Sequence, residues 1–309
     1  MTSPDTSAAL DPAPPQVTLP AGPSAPAAEA RTVELRLGTG RVVIDAEGGH
    51  PLQFVDDTAP ERTYLLDGTT PWHSLEHAWG TGHVVADSFT ARWNAPHSRE
   101  LGTASVTASH RLGEQMVLDV ERAGGDTFRE TYRFRNVSQA TLRLTGLGIQ
   151  TPFADLYPGA LASLTGCVHA HVFTGGEWSW AAAQPIDGGG RVLGLRLEEG
   201  ALWSYAVESR NAGTFSNARG HLVLQATDHA RAPHSFGGQP VITLAPGEEH
   251  VLSWELAWYE GMDAFLAATR APAEFSAFSV AVGETITVRS PHPVEAGTGS
   301  RWSAGPTGR

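Results

Sequence analysis

In the segment HVLSWELAWYE (250–260), Leu252, Trp254, Leu256 and Trp258 fall on one side of an extended chain, with Ser253, Glu255 and Ala257 on the other. Alternation with period two predicts a strand that turns one face to a core. The pattern recurs along the chain. Strands are predicted at 32–37 (TVELRL), 41–46 (RVVIDA), 83–93 (HVVADSFTARW), 105–112, 116–122, 127–136, 141–149, 167–173, 192–197, 202–209 and 221–226. Gly-Thr-Gly between the first two reads as a short hairpin connection. One stretch, MDAFLAATR (262–270), reads as helix and is ended by Pro272. Long helices do not alternate with the strands, which argues against a parallel βαβ sheet. A dozen strands need two packed sheets. The predicted fold is all-β, a large antiparallel two-sheet sandwich with one short helix near its C-terminal end.

The alternating pattern holds over 31–272 and fails on either side. Residues 1–30 carry no basic residue and no continuous apolar run, and read as a disordered Pro/Ala-rich leader. FSVAVGETITVRS (278–290) reads as a hairpin opening a new module of immunoglobulin-like type, and the Gly/Ser/Thr/Pro-rich tail adds no strand to it. Residues 273–309 are therefore expected to be the truncated start of a further β module with a flexible tail.

Composition narrows the chemistry. The 34 Gly and 21 Pro of the 309 residues favour short, heavily punctuated strands. A net charge of −12 argues against a nucleic-acid groove. All 21 basic residues are arginine, so Schiff-base, pyridoxal-phosphate and P-loop lysine chemistries are excluded. The single cysteine, Cys167, permits no intramolecular disulfide and reads as a buried inert thiol. No apolar run approaches the roughly 18 residues of a membrane span, and the N-terminus lacks signal-peptide features. No membrane partner and a cytoplasmic location are expected. Neither GxSxG nor a strand–GxGxxG–helix unit is present, and no cofactor is predicted.

The densest chemistry lies in GCVHAHVFTGGEWSW (166–180). His169 and His171 share one side of a strand, as do Trp178 and Trp180, with Glu177 between the tryptophans facing the other way. The histidines read as core or hydrogen-bonded residues, as sugar-contacting acid–base groups, or as half of a zinc site with Glu177, His73 or His77. Nothing in the spacing requires a metal, and none is predicted. The two indoles offer flat apolar faces to sugar rings or fill a core. Glu130 alternates in phase with Phe128, Tyr132 and Phe134, so it is either a general acid or base with a raised pKa or the partner of an arginine on a neighbouring strand. WHSLEHAW (72–79) supplies Trp72 and His73 to a loop that anchors itself or contacts substrate. Asn217 and Arg219 in SNARG stabilise a turn or fork sugar hydroxyls.

The ordered run ETYRFRN, GLGIQTPFADLY, HAHVFTGGEWSW, VLGLRLEEGALWSYAVES, SNARGHLVL and LAPGEEHVLSWELAWYEG resembles the galactose-mutarotase-like β-supersandwich over Val33–Leu266. More narrowly, it is similar to the N-terminal sandwich that precedes an (α/α)6 barrel in six-hairpin glycoside hydrolases. That resemblance implies a carbohydrate ligand and a helical-barrel partner domain carrying the catalytic carboxylates. With no barrel in this chain, it implies a module or remnant that is non-catalytic on its own. Mutarotases themselves use a histidine acid and a glutamate base, for which His169, His171, Glu130 and Glu177 are the candidates here. A sandwich serving only protein contacts is the third expectation.

Overall fold

The computed structural model describes residues 31–66, 75–155, 159–208, 221–227, 240–269, 271, 273–277, 280–281 and 283–290. The first strands are β1 (Thr32–Leu37), β2 (Gly40–Asp45) and β3 (Pro51–Val55). A 3-10 turn at Leu75–His77 leads to β4 (Gly82–Ala86), β5 (Thr90–Trp93), β6 (Ser98–Leu101), β7 (Ser105–Leu112) and β8 (Met116–Ala123). Then come β9 (Phe128–Asn136), β10 (Leu142–Gln150), helix α1 (Ala160–Gly166), β11 (Val168–Gly175), β12 (Trp178–Pro185) and β13 (Val192–Glu199). The remainder is β14 (Ser204–Glu208), β15 (His221–Thr227), β16 (Ile242–Leu244), β17 (Glu249–Tyr259), helix α2 (Met262–Ala268), β18 (Glu274–Phe275) and β19 (Val288–Arg289). No described helix is long and apolar enough to cross a membrane.

The larger sheet has eight strands in the order β11-β12-β13-β17-β9-β8-β7-β6, and every pair in it is antiparallel. The second runs β14-β15-β10-β4-β5, with β16 also paired to β10. A three-stranded sheet, β1-β2-β3, completes the main body. Alternation explains which face goes where. Leu252, Trp254 and Leu256 of β17 join Phe128, Tyr132 and Phe134 of β9 and Leu193 and Leu195 of β13 in one buried core. Leu144, Leu147, Ile149, Leu222 and Leu224 meet them from the other sheet. Edge-to-face contacts of Trp79 with Phe54 (4.9 Å) and Phe153 (5.2 Å) knit the layers together.

The outward face of the larger sheet carries a smaller apolar island, where Phe265 of α2 packs with Ala182 and Val192. Gly194 makes this docking possible, because a Cβ there would lie 2.3 Å from the Phe265 ring. At the β11–β12 connection Gly175 pairs with Trp178, so the turn is Gly176–Glu177. Gly176 has φ 73, the left-handed region that such two-residue turns reserve for glycine.

Three elements differ from the sequence expectation. The segment 83–93 is a hairpin, β4 and β5, closed by Ala86 N–H to Phe89 C=O, rather than one strand. It turns at Asp87–Ser88 without glycine or proline, a weaker turn signal than those residues give. Helix α1 was not expected: Leu161 and Leu164 point to solvent and only Ser163 is buried, so it has no apolar stripe to read. The hairpin expected at 278–290 pairs instead as β18 with β19.

Candidate functional site

Glu130 stands on the inner face of β9, opposite Arg122 of β8 on one side and Trp254 of β17 on the other. Its Oε1 accepts from Arg122 Nε (2.7 Å) and Tyr132 OH (3.1 Å), and its Oε2 from Trp79 Nε1 (2.7 Å) and Trp254 Nε1 (2.9 Å). A carboxylate offers about four lone-pair sites. All four are used, and the residue is 0% exposed. Arg122 also donates to the Gly49 carbonyl at 2.8 Å. Burial and the Glu130 charge together push the Tyr132 phenol well above its ordinary pKa. The assembly is a sealed ion pair inside the sandwich.

The opposite face of the same sheet is built differently. His169, His171 and Phe173 of β11 lie in register with Gln184, Ala182 and Trp180 of β12. Trp180 is in turn level with Arg196 of β13, and Arg196 with Glu255 of β17. Phe173 packs against Trp178 (4.7 Å) and stacks on Trp180 (5.9 Å, 20°). The end of α2 leaves carbonyls without helical partners. Trp178 Nε1 donates to Thr269 C=O and Arg196 to Ala268 C=O, each at 2.8 Å. Arg196 also pairs with Glu255 and lies 3.9 Å from Glu198. Burial opposes the guanidinium charge, and Glu255, Tyr259 and Glu198 together more than offset it.

Trp178, Trp180, Arg196, Glu198 and the C-terminal end of α2 line an open pocket of about 170 Å³. Beneath its lining, Trp180 Nε1 and Arg196 Nε are shielded from solvent and have no hydrogen-bond acceptor among the described residues. A second, larger hollow of about 350 Å³ lies farther along the same face, over β6 to β9.

No protein-family model and no curated protein matches the sequence. Among solved structures, a polysaccharide lyase superposes with a TM-score of 0.69 at 22% identity, over 84% of this chain and 39% of that one. The fold is an all-β antiparallel sandwich of the kind found in that part of the lyase. Weaker likenesses run to a galactose mutarotase related enzyme from Lactobacillus acidophilus (TM-score 0.46, 10% identity, 76% of this chain and 99% of that one). A galactose mutarotase-like protein from Clostridium acetobutylicum is similar at TM-score 0.45 and 9% identity, over 76% of this chain and 96% of that one. At these identities the likeness is one of fold, and this chain spans about two fifths of the lyase's length.

Within the sandwich the sequence-predicted residues separate. His169, His171, Trp178 and Trp180 gather on the outward face, with the His169 and His171 rings 6.4 Å apart. Glu177 is exposed in the turn beside them. Glu130 lies on the other face, so the sheet itself stands between it and both histidines. Trp72, His73, Asn217 and Arg219 lie outside the described residues. Among the described residues no group of three His, Cys, Asp or Glu is placed to hold a metal.

Sequence reasoning missed Arg196, Glu198 and Glu255, although Glu255 was visible as an outward position of its strand. It also missed the stacking of buried His77 on buried His221 (4.2 Å, 26°), which joins two segments 144 positions apart (221 − 77) and leaves no local signal.

Proposed function

We propose that this chain is a carbohydrate-associated β-sandwich domain, a module of a larger glycan-degrading enzyme and non-catalytic on its own. The observation that carries the reading is the Trp178–Trp180–Phe173 cluster opening onto a pocket edged by Arg196 and Glu198. Indole faces match the CH faces of pyranose rings, and a guanidinium beside a carboxylate can donate to and accept from their hydroxyls. The likeness to part of a polysaccharide lyase supports the modular character. In this reading a separate catalytic unit, of the helical-barrel kind, supplies the reacting groups.

An aldose epimerase is the second reading, favoured by His169 and His171 side by side on the outward face of the edge strand that leads into the Glu177 turn. Glu130 is poorly suited to act as its base, since all its acceptor sites are filled. Proton NMR with free aldoses and short oligosaccharides separates the two. The module reading expects saturation transfer to sugar protons without faster α/β anomeric exchange. Accelerated exchange that disappears in His171→Ala would establish the epimerase instead. Silence in both channels contradicts carbohydrate handling altogether.

A further inference from the structure

The two hollows on the outward face are joined by the register of the sheet. Beyond the pair of Trp180 with Arg196, Trp178 and Glu198 border the same smaller pocket. The bulge in β13 sets Glu199 against Ser253 of β17. Ser253 is paired with Thr131 of β9, Thr131 with Glu121 of β8, Glu121 with Thr107 of β7, and Thr107 with Glu100 of β6. Directly opposed residues of an antiparallel pair face the same way. One transverse row of outward side chains therefore runs from the smaller pocket, which contains Trp178 and Glu198, to the larger hollow, which contains Thr131, Glu121, Thr107 and Glu100.

The floor between them is a hydroxyl pair, Thr131 and Ser253, 3.0 Å apart and 9% and 5% exposed. Outward-facing residues so little exposed mark the bottom of a depression rather than a crest. From β12 to β8 the row crosses four strand spacings in the sheet order, about 19 Å.

We infer that this row is a track for an extended glycan chain laid across the strands, with one sugar stacked at Trp178 and the following units over Ser253, Thr131 and Glu121. The inference rests on the carbohydrate reading above and sharpens its ligand to an oligomer rather than a free aldose. The two ends divide the work by their chemistry. The aromatic end offers apolar faces, and the far end offers carboxylate acceptors and hydroxyls without an aromatic ring. A chain long enough to touch both binds its second contact intramolecularly, so affinity must rise with length until the track is filled.

The test is a titration of the protein with cello-, xylo-, manno- and galacturono-oligosaccharide ladders of one to eight units, followed by calorimetry and saturation-transfer NMR. For whichever ladder binds, the affinity is expected to climb at least tenfold between the dimer and the chain that spans about 19 Å, then to level off. Glu121→Ala, an exposed substitution, is expected to remove most of that gain while leaving the shortest ligand's affinity unchanged. Trp178→Ala is expected to abolish detectable binding at every length. An affinity that does not grow beyond the dimer, or a longest ligand indifferent to Glu121→Ala, overturns the track while leaving a local sugar site at Trp178. Failure of all ladders at every length overturns the carbohydrate reading itself.

Discussion

Two clusters on opposite faces of one sheet are made from nearly the same residues. The inner one holds Glu130, Arg122, Trp79, Trp254 and Tyr132; the outer one holds Glu255, Glu198, Arg196, Trp178 and Trp180. In the first, each carboxylate lone pair has a donor and the side chain is out of reach of solvent. In the second, the rings, the guanidinium and the Glu198 carboxylate border an open pocket. Residue type alone therefore says little about function. Side chains bordering accessible space, rather than sealed from it, are what separate a binding surface from a core.

The contrast is sharpest under mutation. Glu130→Ala strands Arg122 in the core without its counter-charge and removes the acceptor of two indoles. It is expected to cost about 3–5 kcal/mol, read as a shift in the denaturant midpoint. A loss below about 1 kcal/mol would mean that the inner cluster does not hold the fold as described.

Acid tests the same face. His110, inward on β7, is held down to about pKa 4 by burial first and then by Arg122, with a small push from His97, against the pull of the Ala95 carbonyl and Asp119. An unfolded histidine titrates near 6.5, so between about 6.5 and 4 the unfolded chain binds a proton that the folded chain refuses. Stability falls as pH drops through that window, by on the order of 3 kcal/mol. Burial lowers the His250 pKa as well, which adds in the same direction. Melting temperature followed from pH 7 to 4.5 should decline, and His110→Gln should flatten the decline.

Outer-face substitutions reverse the balance between stability and binding. Trp178→Ala removes a half-buried ring and its bond to the Thr269 carbonyl, for an expected 1–2 kcal/mol, while sugar binding is lost. Glu198→Ala should change stability by less than about 0.5 kcal/mol and weaken sugar binding several-fold by calorimetry. Equal stability losses at Glu130 and Glu198 would erase the distinction between the faces.

The contrast was partly legible before any coordinates. Glu130 lies in phase with Phe128, Tyr132 and Phe134, and Arg122 in phase with Met116, Leu118 and Val120. Two opposite charges, each on an apolar strand face, are the signature of an inward pair. The third dimension was not legible, because Trp79 reaches Glu130 from a loop 51 residues earlier. Likewise, the alternation of β12 put Trp178 and Trp180 on one side, but only the docking of α2 through Gly194 makes that side a pocket. Short elements with weak periodicity, α1 and β16 among them, stayed hidden for the same reason: their positions are set by what they pack against rather than by their own pattern.

The most direct test of the account is saturation-transfer NMR of an oligosaccharide ladder with the wild-type protein and with folded Trp178→Ala. The account predicts transfer to sugar protons in the wild type and its loss in the variant. Transfer that survives undiminished in Trp178→Ala, or is absent from the wild type, would contradict the assignment of the outward face as the glycan surface.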